Sequence, residues 1–107
     1  MIEIKQIKDN GFGFSLKAEN GGNLLNSVPF ANKDEIKRTV RRLTNIDDTR
    51  NIFERKTNHE GKFLFNVKDE NGKLIGHSEL YTSEAGMENG IKNVINRISH
   101  ISNSGNL

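Results

Sequence analysis

Ser27 and Ser78, the three histidines His59, His77 and His100, the pair Glu84 and Glu88, and the cations Lys37, Arg38, Arg41 and Arg42 are the side chains whose types and spacing could do chemistry. Serine hydrolysis needs a nucleophile, a base and an acid that orients the base. Ser78 follows a strand pattern without the glycines of a nucleophile elbow, so a hydroxyl that closes a turn is expected at Ser27 and Ser78 alike. The histidines are widely separated, with no second ligand at helical or hairpin spacing, and solvent-exposed rings with no metal are expected. Glu84 and Glu88 are four apart and could in principle hold a hard cation. Glu84 reads better as a complement to the positive end of a helix dipole. No loop has the phosphate-cradling P-loop pattern, and the chain has no cysteine, hence no disulfide and no thiolate chemistry. No catalytic residue, no metal and no cofactor is expected, and the chain is not read as an enzyme.

The cations need separate weighing. Lys37, Arg38, Arg41 and Arg42 lie off the apolar stripe Ile36–Val40–Leu43, so all four share the exposed side of one helix. Residues 1–50 hold nine basic and seven acidic residues, while 51–107 hold seven of each. Such a patch can attract a polyanion. It is also an ordinary solvated helix face, with Asp34 placed to pair with Arg38 at i, i+4. No aromatic is interleaved to stack on bases, and the net charge is only +2. Sequence-specific nucleic-acid binding is therefore not expected; weak, non-specific polyanion binding through this helix is the alternative function.

The elements that carry these residues occur twice. Shifting the chain by 51 residues lays Phe12 on Phe63, Phe14 on Phe65, Lys17 on Lys68 and Glu19-Asn20-Gly21 on Glu70-Asn71-Gly72. It also lays Ser27 on Ser78, Phe30 on Tyr81, Ile36 on Met87, Val40 on Ile91 and Leu43 on Val94. From Ile2 to Leu43 nine positions are identical without a gap, where average composition gives roughly two or three. Each unit reads strand–strand–strand–helix. Phe12, Phe14, Leu16 and Ala18 alternate with Gly13, Ser15 and Lys17, the period of a half-buried strand, and Phe63, Phe65 and Val67 repeat it. Asn20-Gly21 and Asn71-Gly72 are hairpin signals, after which Leu24-Leu25 and Leu74-Ile75 return. Ile2 to Lys8 and Ile52 to Thr57 supply a preceding strand, joined by Asp9-Asn10-Gly11 and His59-Glu60-Gly61.

Asn32 and Ser83 are placed to cap the helices, and Met87, Ile91, Val94, Ile95 and Ile98 form the second apolar stripe. The expected class is α+β: two tandem β-β-β-α repeats forming one antiparallel sheet, with two helices packed on one face and the other face in water. The first, divergent repeat spans 1–50, the second 51–98, and 99–107 reads as a flexible tail. The link from Thr44 to Asn51 is short and polar, so the repeats are expected to share a single domain. At 107 residues, with 33% hydrophobic and 28% charged residues, the six Phe carry much of the core. No apolar stretch has the length of a signal peptide's core or a membrane span, and a soluble, cytoplasmic protein is expected.

Gly61-Lys62-Phe63-Leu64-Phe65-Asn66-Val67-Lys68, continuing Asn71-Gly72-Lys73-Leu74-Ile75-Gly76, then Ser78-Glu79-Leu80-Tyr81 and Gly90-Ile91, resembles the repeat of the YegP-like family of small bacterial proteins. The first copy departs from that pattern, with Val28, Phe30 and Thr39 where Glu, Tyr and Gly are usual. The resemblance implies an α+β sheet assembled from two repeats and transfers no catalytic or binding residue. The function expected on this basis is a protein-interaction or stress-related accessory module, a monomer with pseudo-twofold repeat symmetry and an unidentified protein partner. Gly90 falls mid-helix, where Gly costs about 1 kcal/mol relative to Ala; close approach of a neighbour would explain it.

Overall fold

Alternating strands, glycine-bearing turns and two capped helices follow along the chain as β1 (Ile2–Ile7), β2 (Gly11–Lys17), β3 (Asn23–Ser27), α1 (Lys33–Thr44), β4 (Phe53–Thr57), β5 (Phe63–Lys68), β6 (Leu74–His77) and α2 (Glu84–Ser104). The computed structural model describes residues 2–7, 11–44 and 52–104. The turn expected at Asp9 and Asn10 and the polar link over 45–51 lie outside the described residues. The fold is α+β, with a six-stranded antiparallel sheet in the order β1-β2-β3-β6-β5-β4.

Register sorts the side chains into two faces. Glu3, Ser15, Asn26, His77, Asn66 and Glu54 stand side by side across all six strands. Their chain neighbours Phe14, Leu16, Leu25, Phe65 and Val67 turn to the opposite face, because side chains alternate along a strand. There they meet Ile36, Val40 and Leu43 of α1 and Met87, Ile91, Val94 and Ile98 of α2 in one core cluster. Register shifts beside Leu16 and beside Val67 make Leu24 and Ile75 extra residues in their strands. These bulges let two consecutive residues, Leu24 and Leu25, both reach the core.

Turn chemistry follows the residues. Gly72 has φ 83° and Gly21 φ 89°, the left-handed region that costs glycine nothing. Asp69 Oδ1 accepts from Asn71 N and Lys73 N, each at 2.9 Å, and Asn58 Oδ1 does the same for Glu60 N and Lys62 N. Asn32 Oδ1 accepts Glu35 N at 2.9 Å and Ser83 Oγ accepts Gly86 N at 3.0 Å, so both caps form where expected.

The helices cross between the halves of the sheet. α1 begins over its own strands, with Lys33 Nζ 5.8 Å from the Phe12 ring centroid, and ends beside the β5–β6 turn. α2 begins with Glu88 bound to Arg55 of β4 and reaches the β2–β3 turn, where Arg97 Nε donates to Lys17 O at 3.2 Å. At the centre, β3 pairs with β6 at Asn26–His77 and Ser27–Gly76. A Cβ on Gly76 would lie 2.6 Å from Asn26 O, so the two halves approach as closely as they do because residue 76 has no side chain.

Three expectations need correction. The helix-free face is not simply in water: Ser15 on it is 1% exposed, because Asn26 and its neighbours roof the centre of the sheet. Of the tail expected over 99–107, residues 99–104 belong to α2, which continues to Ser104, and 105–107 lie outside the described residues. Neither glycine nor proline occurs between Ile91 and Ser104, so no residue there breaks the helical backbone. Ile52 precedes β4 instead of belonging to it, and is buried in the core.

Candidate functional site

The polar row on the helix-free face is built by strand alternation and tied together by hydrogen bonds. Ser15 Oγ donates to Asn26 Oδ1 at 3.0 Å. The amides of Asn26 and Asn23 both aim at Glu79 Oε1, at 3.4 and 3.5 Å. Asn23 Oδ1 is shielded from solvent and has no hydrogen-bond partner among the described residues. On the other side of the row Asn66 Nδ2 donates to Glu54 Oε1 at 3.1 Å and Lys68 Nζ to Glu54 Oε2 at 3.0 Å. The Asn66 amide and then the Lys68 ammonium hold the Glu54 carboxyl below its ordinary range. His77 stands exposed between Asn26 and Asn66. Leu64 and Leu74 share this face, since Leu64 alternates with Asn66 and Leu74 pairs with Lys68.

Ser27 and Ser78 have structural work that occupies both functions of the hydroxyl. Phe14 N donates to Ser27 Oγ at 2.8 Å, and Ser27 Oγ donates to Val28 O at 2.8 Å. Phe65 N and Glu79 O hold Ser78 Oγ in the same way, at 2.9 and 2.8 Å. Each hydroxyl completes a strand where the ladder breaks, and neither is oriented by a base. His59, His77 and His100 are exposed, with His100 Nδ1 2.9 Å from Asn96 O. Among the described residues no three His, Cys, Asp or Glu side chains cluster as a metal would need, and no helix is long and apolar enough to cross a membrane. Glu88 is committed to Arg55, whose guanidinium lowers its pKa.

The four cations of α1 are all exposed, but the structure divides them. Arg38 and Arg42 line a groove with Glu35 and Thr39 of α1 and with Asp69, Asn71, Lys73 and Ile75 from the β5–β6 turn. Lys37 and Arg41 do not line it. Among the described residues Asp34 and Arg38 form no ion pair, so the expected i, i+4 partnership is absent; the pairs formed there include Arg55–Glu88, Lys68–Glu54 and Arg97–Glu19. Lys73 carried no sequence signal as a groove residue, because only the crossing of α1 into the other half of the sheet brings it there. Asn66 was readable as outward-facing, but its alignment with His77 and Asn26 needed the β3–β6 register.

Residues 58–99 match a domain of unknown function, DUF1508. Over 93 residues, 87% of this chain and 84% of the relative, the sequence is 34% identical to the UPF0339 protein YegP of Escherichia coli K12. It is 38% identical over 97 residues, 89% of this chain and 86% of the relative, to a UPF0339 protein in the ptx operon 5′ region of Stutzerimonas stutzeri. The solution NMR structure of E. coli YegP, a protein of unknown function, superposes with a TM-score of 0.83 at 32% identity, covering 92% of this chain and 84% of that one. That of UPF0339 protein SO3888 from Shewanella oneidensis superposes with 0.82 at 28% identity, covering 89% and 80%.

Proposed function

We propose that this chain, which belongs to the YegP-like UPF0339 family, is a non-enzymatic protein-interaction module that presents the helix-free face of its sheet to a partner. The observation that carries this reading is the exposed Glu79 carboxylate at the end of the hydrogen-bonded row, reached only at 3.4 and 3.5 Å by the amides of Asn26 and Asn23. The occupant is a polar protein surface that brings N–H donors to Glu79 and covers the adjoining Leu64 and Leu74. Polar groups set beside scattered apolar ones, with an aligned register, suit a modest protein contact.

Two further readings belong to the same proposal. The halves 1–50 and 51–98 are copies of one β-β-β-α unit, supported by bonds that recur 51 residues on, such as the Phe12–Phe30 and Phe63–Tyr81 bridges. The chain acts as a monomer whose halves make the pairing internally, in the cytoplasm. The test is affinity capture from a bacterial lysate with the wild type, with Glu79→Lys and Asn66→Lys together, and with Arg38→Gln and Arg42→Gln together. A stoichiometric protein lost only with the face variant is expected. A partner retained by the face variant sinks the assignment of the face.

A further inference from the structure

The groove between α1 and the β5–β6 turn collects charge that neither element holds alone. Arg38 and Arg42 are one helical turn apart and exposed, and Lys73 is brought to the same groove of about 340 Å³ from the opposite half of the sheet. That size is at the lower end for clefts that hold small ligands. Two carboxylates also line it. Asp69 Oδ1 is already committed to the backbone N–H groups of Asn71 and Lys73, and Glu35 forms no ion pair with Arg38 or Arg42 among the described residues. Among the described residues three cations face two acids in the groove, and neither guanidinium fork is claimed by a carboxylate there.

The matched groove at the other end of the molecule is built differently. It lies between α2 and the β2–β3 turn and is lined by Glu19, Asn20, Asn93, Asn96, Arg97 and His100 among others. Arg97 there is taken up by Lys17 O at 3.2 Å and by Glu19 at 3.9 Å. Arg42 corresponds to Asn93 and Lys73 to Gly22 under the 51-residue shift. The same backbone scaffold thus carries cations without a carboxylate partner among the described residues at one end, and at the other an arginine held by Lys17 O and near Glu19.

We propose that the α1 groove binds a phosphate dianion, free or carried as a monoester, with Arg38 and Arg42 engaging its oxygens through their forks and Lys73 adding a point charge. Arginine suits this task because its planar donors match phosphate oxygens in pairs, whereas ammonium acts through charge. Cations converging from two elements favour a tetrahedral dianion, whose oxygens point in several directions, over a flat carboxylate. This site is separate from the helix-free face and does not depend on the partner assigned there.

The test is amide NMR of the full chain titrated with inorganic phosphate at constant ionic strength, chloride replacing phosphate in the control. Saturable shifts confined to α1 around Arg38–Arg42 and to Asn71–Lys73 are expected. Arg38→Gln with Arg42→Gln should weaken binding by about tenfold or more, the loss of one or more charge-assisted hydrogen bonds, and Lys73→Gln should weaken it less. Lys37→Gln with Arg41→Gln removes the same formal charge from the same helix outside the groove and should leave binding within about twofold. Glycerol 3-phosphate in a parallel titration separates the sources: tighter binding assigns the site to an organic phosphate, equal binding to the free ion. Unsaturable shifts, shifts of equal size around Arg97, or equal weakening by the Lys37/Arg41 variant overturn the proposal, because each reduces the effect to diffuse charge.

Discussion

The two strand–helix junctions share a backbone pairing and fill it with different side chains. In the first half Phe30 bridges to Phe12 and stacks 6.2 Å from Phe14. The helix above carries buried Thr39, whose Oγ1 donates to Glu35 O at 2.9 Å. In the second half Tyr81 bridges to Phe63 and stacks 6.3 Å from Phe65, beneath Gly90. A Cβ at Gly90 would lie 2.7 Å from Tyr81 Cζ and closer still to Oη. The hydroxyl therefore sits on the helix in one half and on the aromatic ring in the other. Burial, with Glu79 adding to it, pushes the Tyr81 phenol above its ordinary pKa, so it stays neutral. The difference teaches that residues 30 and 39, and likewise 81 and 90, are chosen together: space released on the helix is taken by the strand.

The largest expected effect comes from separating the halves altogether. α2 buries Met87, Ile91, Val94 and Ile98 in a core that also needs Phe14, Leu16, Leu25 and Ile36, and its far end is held by Lys17 O. A chain of residues 51–107 keeps half of that core and loses the β3–β6 seam. It should show no cooperative thermal transition as a monomer, or else dimerise so that one copy supplies the missing strands. Sedimentation combined with a circular-dichroism melt decides this. A monomeric, cooperatively melting fragment refutes the shared core and, with it, the need for the halves to interlock.

Much of this was readable from residue types alone, and the limits are physical. Period-two alternation at Phe12–Ala18 and Phe63–Val67, the Gly21 and Gly72 turns and the Asn32 and Ser83 caps are local signals, each set within a few residues, and all form. The YegP-like resemblance, carried by Gly61–Lys68 and its continuation, holds as family membership. Hidden from the sequence were features that need two distant segments at once. The alignment of Asn26 with His77 requires the strand order, the gathering of Lys73 with Arg38 requires the helix crossing, and the burial of Ser15 requires neighbours from another strand. The candidate cations were correctly placed on the exposed side of α1, yet their division into a groove pair and an outer pair follows from tertiary structure.

A smaller effect sharpens the comparison of junctions directly. Gly90→Ala gains about 1 kcal/mol of helix propensity but drives a methyl group into the Tyr81 ring, and overpacking of this kind costs about 1–3 kcal/mol. The ring is held by its stacking on Phe65 and by the backbone bridge to Phe63, so it cannot swing away freely. A net loss of about 1 kcal/mol in denaturant unfolding is expected. Adding Tyr81→Phe, which copies the aromatic of the first half, should return part of that loss as a favourable coupling between the two changes. If Gly90→Ala stabilises the protein on its own, the glycine is not there to admit the ring.

The smallest expected effect concerns the edges of the sheet, where Arg55 and Glu88 occupy the positions matched by Ile4 and Lys37. Arg55 Nη2 lies 2.9 Å from Glu88 Oε1 and its Nε bonds the other carboxylate oxygen, a two-point contact that fastens β4 to α2. Both side chains remain nearly half exposed, at 49% and 45%, so solvent screens the pair and its worth is about 0.5 kcal/mol. The Arg55 hydrogen bond, and secondarily its charge, lower the Glu88 pKa below the ordinary 4.5. A carboxylate with a depressed folded-state pKa stabilises the protein above its unfolded pKa and loses that contribution as pH falls through the folded one. Glu88→Gln should therefore lower stability slightly at neutral pH, and the difference from wild type should shrink to nothing in acid below both values. Lys37→Gln at the matched position breaks no ion pair among the described residues, so its difference from wild type should change less over the same range. Comparing each variant with wild type cancels the acid response of Glu54, which Asn66 and Lys68 also depress. Unfolding followed by circular dichroism across that pH range measures both curves. A Glu88→Gln difference that persists undiminished in strong acid would show that residue 88 acts through packing on β4 instead of through its charge.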